Sequence, residues 1–422
     1  MKVIACNRRV QRYLIRQLSG PGFGWEKVRD PRKRRGRRWK LKQLLNALLL
    51  GLVSGCPTLR DVEGLSQDMG DFGRGYVPRR VSDTTLWDLI QILKAEELRE
   101  QLIEQVKSSW RAKMLRPVGL PCGVVSIDGK GLGKLEHDAQ GTAQKTHSAK
   151  GAEYFLSRSL RAVLTSAEGR PCLDQMSIGA KTNEMGDFKK FFAGMLESYG
   201  PSNNMFEIVT TDAGMTSLAN ADYVHAAMKA YVMALKGPQP ELLAEAKRLL
   251  GNRRKADIET PWERYQGKWI RRLLFCTKEI AGYHNWNHLR QAWRVVQETC
   301  DDDDKTQREE RYFLTNVHEG RLTPEQILIV IRGHWRIEND HNWSLDMQWN
   351  EDSAPYCSKG KAIEVVSYFR LMAYNLVQQA RRATLTKKLP DGTRSTPPAW
   401  RRVFEWIKQA WLLPIETTCA LS

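Results

Sequence analysis

Three acidic residues, remote in the chain, stand where rigid elements can aim them at one point: Asp128, Asp212 and Glu338. Asp128 ends the apolar run Val124-Val125-Ser126-Ile127 and is followed by Gly129-Lys130-Gly131. Asp212 ends Phe206-Glu207-Ile208-Val209-Thr210-Thr211 and precedes Ala213-Gly214. Glu338 lies in the segment Ile329–Asn339, which reads as helix. Carboxylate oxygens are the ligands that hard divalent ions such as Mg²⁺ prefer. Two such ions activate a water or a 3′-hydroxyl and stabilise the leaving oxygen of a phosphodiester. Taken singly, an Asp at a strand end is ordinarily a turn residue, and a Glu on an amphipathic helix an exposed charge. Their order, element types and spacing together point to a trio that holds metal against a phosphodiester.

Neighbouring residues fit the same chemistry. Lys130, Lys134 and Lys181 are candidate phosphate contacts, as are His334 and Arg336 in the turn before Glu338. Asp346, Glu351 and Asp352 are rival acids. Asp346, eight residues after Glu338, falls roughly 80° further round a regular helix and is expected at the same cleft. Trp343 is expected to pack.

The elements that must position these residues follow from periodicity. Residues 1–118 read as mostly helical: Leu41–Val53 has leucines at helical spacing, and Thr58 or Asp61 and then Ser82 are capping signals. From about residue 120 the texture changes. Val124–Ile127, Ser157–Thr165 and Pro171–Ile178 read as strands, Phe188–Leu196 as a helix, Phe206–Thr211 as a strand and Ala230–Leu235 as another after a short helix. That order is the one expected of a ribonuclease-H-like core. Pro238–Thr323 interrupts it, with a helix at Glu241–Leu250, β-prone pieces at Trp269–Thr277 and Arg311–Val317, and an acidic run Asp301–Asp304 read as a solvated turn. A helical block closes the core, including Ala362–Arg381, and Trp400–Leu413 reads as a terminal helix. The expected fold class is α/β: a ribonuclease-H-like catalytic core with a β-rich insertion and a helical N-terminal domain. The expected divisions are a basic, DNA-binding 1–118, a first core part 119–237, an insertion 238–322, a glutamate-bearing part 323–382 and a basic tail 383–422.

Bulk composition narrows the partner. The 422 residues carry 66 Lys+Arg against 48 Asp+Glu, a net charge of +18, which favours a polyanion such as nucleic acid. Arg29–Lys42 alone holds nine Lys/Arg in 14 residues, interrupted by Pro31 and Gly36. It reads as a flexible arm gripping phosphate through Arg32, Lys33, Arg34, Arg35, Arg37 and Arg38. The 8 cysteines show no C-x-x-C spacing, so neither a zinc site nor a disulfide framework is indicated, and a reducing cytoplasm fits. No secretory apolar core opens the sequence, and its longest apolar stretch is too short to span a bilayer.

The chain resembles bacterial insertion-sequence DDE transposases of the ISAs/H-repeat-associated group. The resemblance is carried by Ser126-Ile127-Asp128-Gly129-Lys130, Lys181-Thr182-Asn183-Glu184, Thr211-Asp212-Ala213 and Tyr231–Gln239. It is strongest in Ile331–Asn339 with Trp343-Ser344-Leu345-Asp346 and Asn350-Glu351-Asp352. It implies metal-dependent cleavage at transposon ends and strand transfer into target DNA, with Asp128, Asp212 and Glu338 as catalytic and metal-binding acids. It further implies two Mg²⁺ ions, with Mn²⁺ as a substitute, and a homodimer or higher oligomer assembled on DNA. The expected location is the bacterial cytoplasm, at the nucleoid, with no membrane partner. Where the wider superfamily places Tyr and Arg before the glutamate and Lys after it, this chain has Ile331, His334 and Leu345. Two other functions share the same residues: a ribonuclease-H-like nuclease that cuts without joining, and a DNA-binding protein that has lost catalysis.

Overall fold

A long mixed β-sheet with helices on both faces organises the molecule. The computed structural model describes residues 2–135, 143–147, 151, 153–200, 205–265, 267–301, 306–353, 356–357, 360–389 and 394–412. Asp302–Asp304 of the expected acidic turn, and residues 390–393 and 413–422 of the expected tail, lie outside the described residues.

The chain opens with helices α1 (Lys2–Leu18), α2 (Leu41–Val53), α3 (Leu59–Asp68), α4 (Asp71–Arg74), α5 (Asp83–Ile92) and α6 (Ala95–Arg111). Strands β1 (Val124–Leu135), β2 (Gln144–His147), β3 (Glu153–Leu164) and β4 (Cys172–Ser177) follow, then α7 (Glu184–Tyr199), β5 (Ile208–Thr211), α8 (Leu218–Ala226) and β6 (Ala230–Leu235). Next come α9 (Pro240–Leu250) and strands β7 (Ile258–Glu259), β8 (Glu263–Tyr265), β9 (Lys268–Thr277), β10 (Gln291–Cys300) and β11 (Thr306–Thr315). The last helices are α10 (Pro324–Arg336), α11 (Trp343–Trp349), α12 (Ala362–Gln379) and α13 (Trp400–Leu412).

Local chemistry explains several boundaries. Thr58 accepts from the Asp61 amide while Asp61 reaches back to the Thr58 amide, a reciprocal cap that starts α3. Ser82 caps α5 through the Thr85 amide. Thr323 and Gln326 form the same reciprocal pair at α10, with Pro324 in the first turn, where a missing N–H costs nothing.

The sheet runs β2-β3-β1-β5-β6-β11-β10-β9-β7, with β4 also on β3 and β8 on β9. β1, β5 and β6 are parallel to one another, while β3 and β11 flank them antiparallel. On one face Val125, Ile127, Val209 and Met233 pack beneath Phe188 and Phe191 of α7, Val224 of α8 and Leu242 of α9. On the other, Val124, Ile208 and Val232 pack beneath Ile327, Leu328, Val330 and Ile331 of α10. Strands β7 to β11 continue the sheet across β6, with β8 paired on β9.

Helix α12 joins the sheet to the helices that open the chain. One side bonds to β4 through Tyr368 to the Gln175 carbonyl (2.7 Å) and Asn375 to the Cys172 carbonyl (2.9 Å). Its other side accepts from Tyr13 of α1 at the Leu376 carbonyl (2.9 Å) and from Gln105 of α6 at the Met372 carbonyl (3.0 Å). It is therefore buried nearly all round, and α1–α6, α12 and α13 share one apolar core. No helix among the described residues is long and apolar enough to cross a membrane, and the described cysteines are free thiols.

Candidate functional site

The parallel pairing of β1 with β5 ends at Ile127 opposite Thr211. Asp128 and Asp212 each follow one step later, so they stand side by side on neighbouring strands, about 4.8 Å apart in the pairing direction. Strand alternation turns both toward the face covered by α10. Asp128 is only 8% exposed. Burial pushes its carboxyl up to about 7, helped by the negative charges of Glu338 and Asp212 and, more weakly, Glu184; the Gly129 amide, donating to Oδ1 at 2.9 Å, pulls it back. Asp212 is half-buried, and its Oδ1 accepts from the Met215 amide at 3.2 Å.

Glu338 reaches this corner on a π-helical segment, Ile337–Asn342, that continues α10. Such a turn carries one extra residue and offsets every later side chain by roughly 100°, and it recurs at functional sites. Its anchors are Ile337 and His341, both fully buried, the His341 ring lying 4.4 Å from Tyr374. Glu338 itself is exposed. Among the described residues no three His, Cys, Asp or Glu side chains are closed to metal-holding separation. The three carboxylates thus form an open neighbourhood of hard oxygen donors whose mutual repulsion a bound cation would relieve.

His334, one turn before Glu338, does not present a cation. Its Nδ1 lies 3.0 Å from the Thr210 hydroxyl, which donates to Ser126 at 2.7 Å. Burial drives the ring down to about 4, against the pull of Asp212, so it is neutral at physiological pH. Lys130 is tied to Asp346 in an ion pair, and Lys134 lies 5.0 Å above the Tyr154 ring. Lys181 is exposed in the loop that enters α7, and Arg336 keeps an open edge to solvent.

The basic segment before α2 is folded rather than a free arm. Asp30 accepts from Arg32 Nε at 2.9 Å, Arg32 donates to the Trp39 carbonyl at 2.8 Å, and Arg37 donates to the Arg32 carbonyl at 3.0 Å. Arg32 holds the Asp30 carboxyl below its usual range. Lys33, Arg34, Arg35, Arg37 and Arg38 remain exposed.

Two expectations from the sequence, for Glu351 and Trp343, are overturned. Glu351 is not a rival ligand: it is fully buried and grips Arg161 through both oxygens at 2.7 and 2.8 Å. Asp346 reaches the same strand as Asp128, where it pairs with Lys130, two residues further along β1. Trp343 is 51% exposed rather than packed. Residues missed in the sequence also appear. Glu184, at the start of α7, is held by Arg158 at 2.7 Å, and a Cβ on Gly129 would overlap its carboxylate at 1.9 Å. The absent side chain at Gly129 leaves room for that carboxylate beside β1. In the sequence Glu184 stood only as the last residue of the block Lys181-Thr182-Asn183-Glu184, with no role assigned to it.

Comparisons with known proteins identify the family. Residues 123–376 match the Transposase DDE domain family. The chain is 24% identical over 377 residues to "Putative protein YbfL" of Escherichia coli K12, covering 83% of this chain and 90% of that protein. The same identity and coverage hold for the "H repeat-associated putative transposase YhhI" of that organism. A cryo-EM structure of the piggyBac transposase synaptic complex with hairpin DNA aligns over 96% of this chain and 77% of its own, at 10% identity and a TM-score of 0.43.

Proposed function

The chain belongs to the Transposase DDE domain family and is a DNA transposase, and we propose that Asp128, Asp212 and Glu338 are the carboxylates through which it acts. The observation that carries this reading is their convergence. Adjacent parallel strands deliver two aspartates to one corner of the sheet, and the charge of Glu338 bears on the buried one. The core is ribonuclease-H-like, β7–β11 form its insertion, and the N-terminal helices with the Arg32–Arg38 loop help grip DNA.

The donors are all carboxylate oxygens, which suit two Mg²⁺ ions, with Mn²⁺ as a substitute. Bound there, the ions supply Lewis acidity at the phosphodiester and lower the pKa of the attacking water. The protein's own part is placement. Asp128 and Asp212 are fixed by the strand register, and Asp212 is steadied by the Met215 amide. Glu338, exposed, has the freedom to close on the other two. His334, neutral, holds the Thr210 and Ser126 hydroxyls beneath the aspartates without adding a positive charge that would compete with a metal. Water cuts the strand at the transposon end and leaves a 3′-hydroxyl, and that hydroxyl then attacks target DNA. Lys130, Lys181 and Arg336 border the path of the strand. The working form is a homodimer or higher oligomer on DNA, in the bacterial cytoplasm at the nucleoid.

The test uses the cognate ends in Mg²⁺. Asp128→Asn, Asp212→Asn and Glu338→Gln should each lower cleavage by on the order of 10³-fold or more, as expected for residues that act as a unit. Full activity in any one of them removes that residue from the trio. Pre-cut ends should be joined to target by the wild type; release without joining would instead identify a nuclease.

A further inference from the structure

Two tryptophans of α11 face opposite ways. Trp349 is buried, donates from Nε1 to the Leu52 carbonyl at 2.7 Å and meets the Trp400 and Phe404 rings edge-on. Trp343, six residues earlier, is 51% exposed, and its indole makes no hydrogen bond and no ring or cation contact among the described residues. Met347, four residues on and so its neighbour on the helix surface, is 62% exposed. An apolar side chain exposed singly needs no explanation. The pair is notable for where it stands.

The Trp343 amide donates to the Glu338 carbonyl, and also to that of Asp340, where the π-helical turn closes. In a regular helix a residue five places on lies roughly 140° round from Glu338; the extra residue in the turn reduces that to roughly 40°. Glu338 and Trp343, both exposed, therefore rise from the same side, one turn apart. Three residues further along, Asp346 pairs with Lys130, two places beyond Asp128 on β1. α11 is thus bonded to the glutamate turn at its start and to the Asp128 strand at its middle, and buried Trp349 fixes its rotation. The indole is held at the rim of the carboxylate corner.

We propose that Trp343, with Met347 beside it, is a stacking platform for one unpaired base of the DNA end whose phosphodiester lies at the three carboxylates. The platform carries no charge to engage a phosphate, while every base has a face that stacks on an aromatic ring. It stands about one helical pitch, 5.4 Å, along the axis from Glu338. One or two nucleotides of a stacked strand cover that step, at about 3.4 Å each. Only a base outside the duplex stack can lie on the indole. A base at a duplex end, with a stacking neighbour on one side alone, costs least to release. This inference rests on the reading of the three carboxylates given above.

The experiment uses the full chain in chelator, so that cleavage does not intrude. The probe is a duplex of the cognate end with 2-aminopurine placed in turn at the bases flanking the cut. Anisotropy across a salt series gives affinity, and 2-aminopurine fluorescence reports the stacking of the replaced base. For Trp343→Ala we expect affinity to fall by about tenfold, the order of one lost base–aromatic stack. The salt slope should not change, because no phosphate contact is lost. At saturating protein, the fluorescence at one flanking position should differ between wild type and Trp343→Ala. Trp343→Phe should keep the wild-type affinity and signal, and Trp343→Leu, apolar but without a π-face, should keep neither. Wild-type affinity and signal in Trp343→Ala would overturn the proposal, as would equal binding by the Phe and Leu variants. Without DNA, Trp343→Ala should melt with the wild type and scatter light as the same species. A lower melting temperature would make the ring structural, and a smaller species would assign the patch to a second copy of the chain; either result overturns the platform. Wild-type protein that binds no duplex sinks the DNA reading itself, while intact wild-type binding with any of the contrary results above sinks the platform alone.

Discussion

Two carboxylates on the same face of the sheet, Asp128 and Glu351, meet opposite fates. Glu351 is the more deeply buried, at 0% exposure against 8% for Asp128. Burial raises both, yet Glu351 is brought down to about 2 by the charge and hydrogen bonds of Arg161, while Asp128 stands at about 7, raised further by neighbouring carboxylates against the pull of the Gly129 amide. Arg161 is the register partner of Asp128 on β3, but its fork points to Glu351, with Gln175 at 2.8 Å and Ser367 at 3.0 Å completing its shell. The protein therefore neutralises one acid internally and leaves its neighbour's charge unmatched. The difference separates an acid that holds the fold from acids arranged to receive something positive.

The largest effect should come from breaking the satisfied pair. Arg161→Met leaves Glu351 buried and unpaired, and should cost about 3–5 kcal/mol in urea unfolding at pH 7. Adding Glu351→Leu should recover most of that loss. Wild-type stability from Glu351 is present above about pH 4.5 and is lost as pH falls toward its folded value of about 2. A loss below about 1 kcal/mol in the single variant would erase the contrast.

Asp128→Asn should act in the opposite direction. The folded-state carboxyl is raised, so the metal-free wild type is most favoured below about pH 4 and loses that advantage as pH climbs through about 7. The variant removes the loss. It should be more stable than wild type at pH 8, by no more than about 4 kcal/mol at roughly 1.4 per unit, and no different near pH 4. Equal melting curves at pH 8 would show that the acids do not strain one another.

Mg²⁺ should sharpen the comparison at the next scale. Its affinity for the wild type, measured by calorimetry, should weaken by up to about tenfold per unit as pH drops below 7, because Asp128 must lose its proton to bind. Titration of Asp128→Asn should show no such slope. The smallest effect belongs to Lys130→Met, which removes a half-buried partner of Asp346 and should cost no more than about 1 kcal/mol.

Much of this architecture was legible because it is local. The caps at Thr58 and Ser82 are short-range hydrogen bonds, and both start helices. The apolar runs ending at Asp128 and Asp212 form neighbouring parallel strands. Other features were hidden because partners far away create them. Gly129, Gly131 and Gly133 look like a turn, yet β1 runs on to Leu135 because β3 pairs with it to Phe155. Leu86–Leu115 looks like one amphipathic helix, yet it breaks at Leu93, which is extended (φ −65°, ψ 149°) and buried. β10 was passed over, although it becomes a central strand once β9 and β11 flank it.

The amino-acid order alone determined which aspartates follow apolar strand runs and which helix carries the third acid, because periodicity and caps are written within a few residues. The expectation that Asp128 closes its strand is overturned, since β1 continues to Leu135. It also determined the basic balance of the chain, which needs only counting. Only the tertiary structure decided that Glu351 is neutralised by a residue 190 positions away, that Trp343 faces solvent, and that Asp346 meets Lys130 on β1. The physical reason is that a charge is defined by what surrounds it, and surroundings are assembled by packing, over distances in sequence that local pattern does not encode.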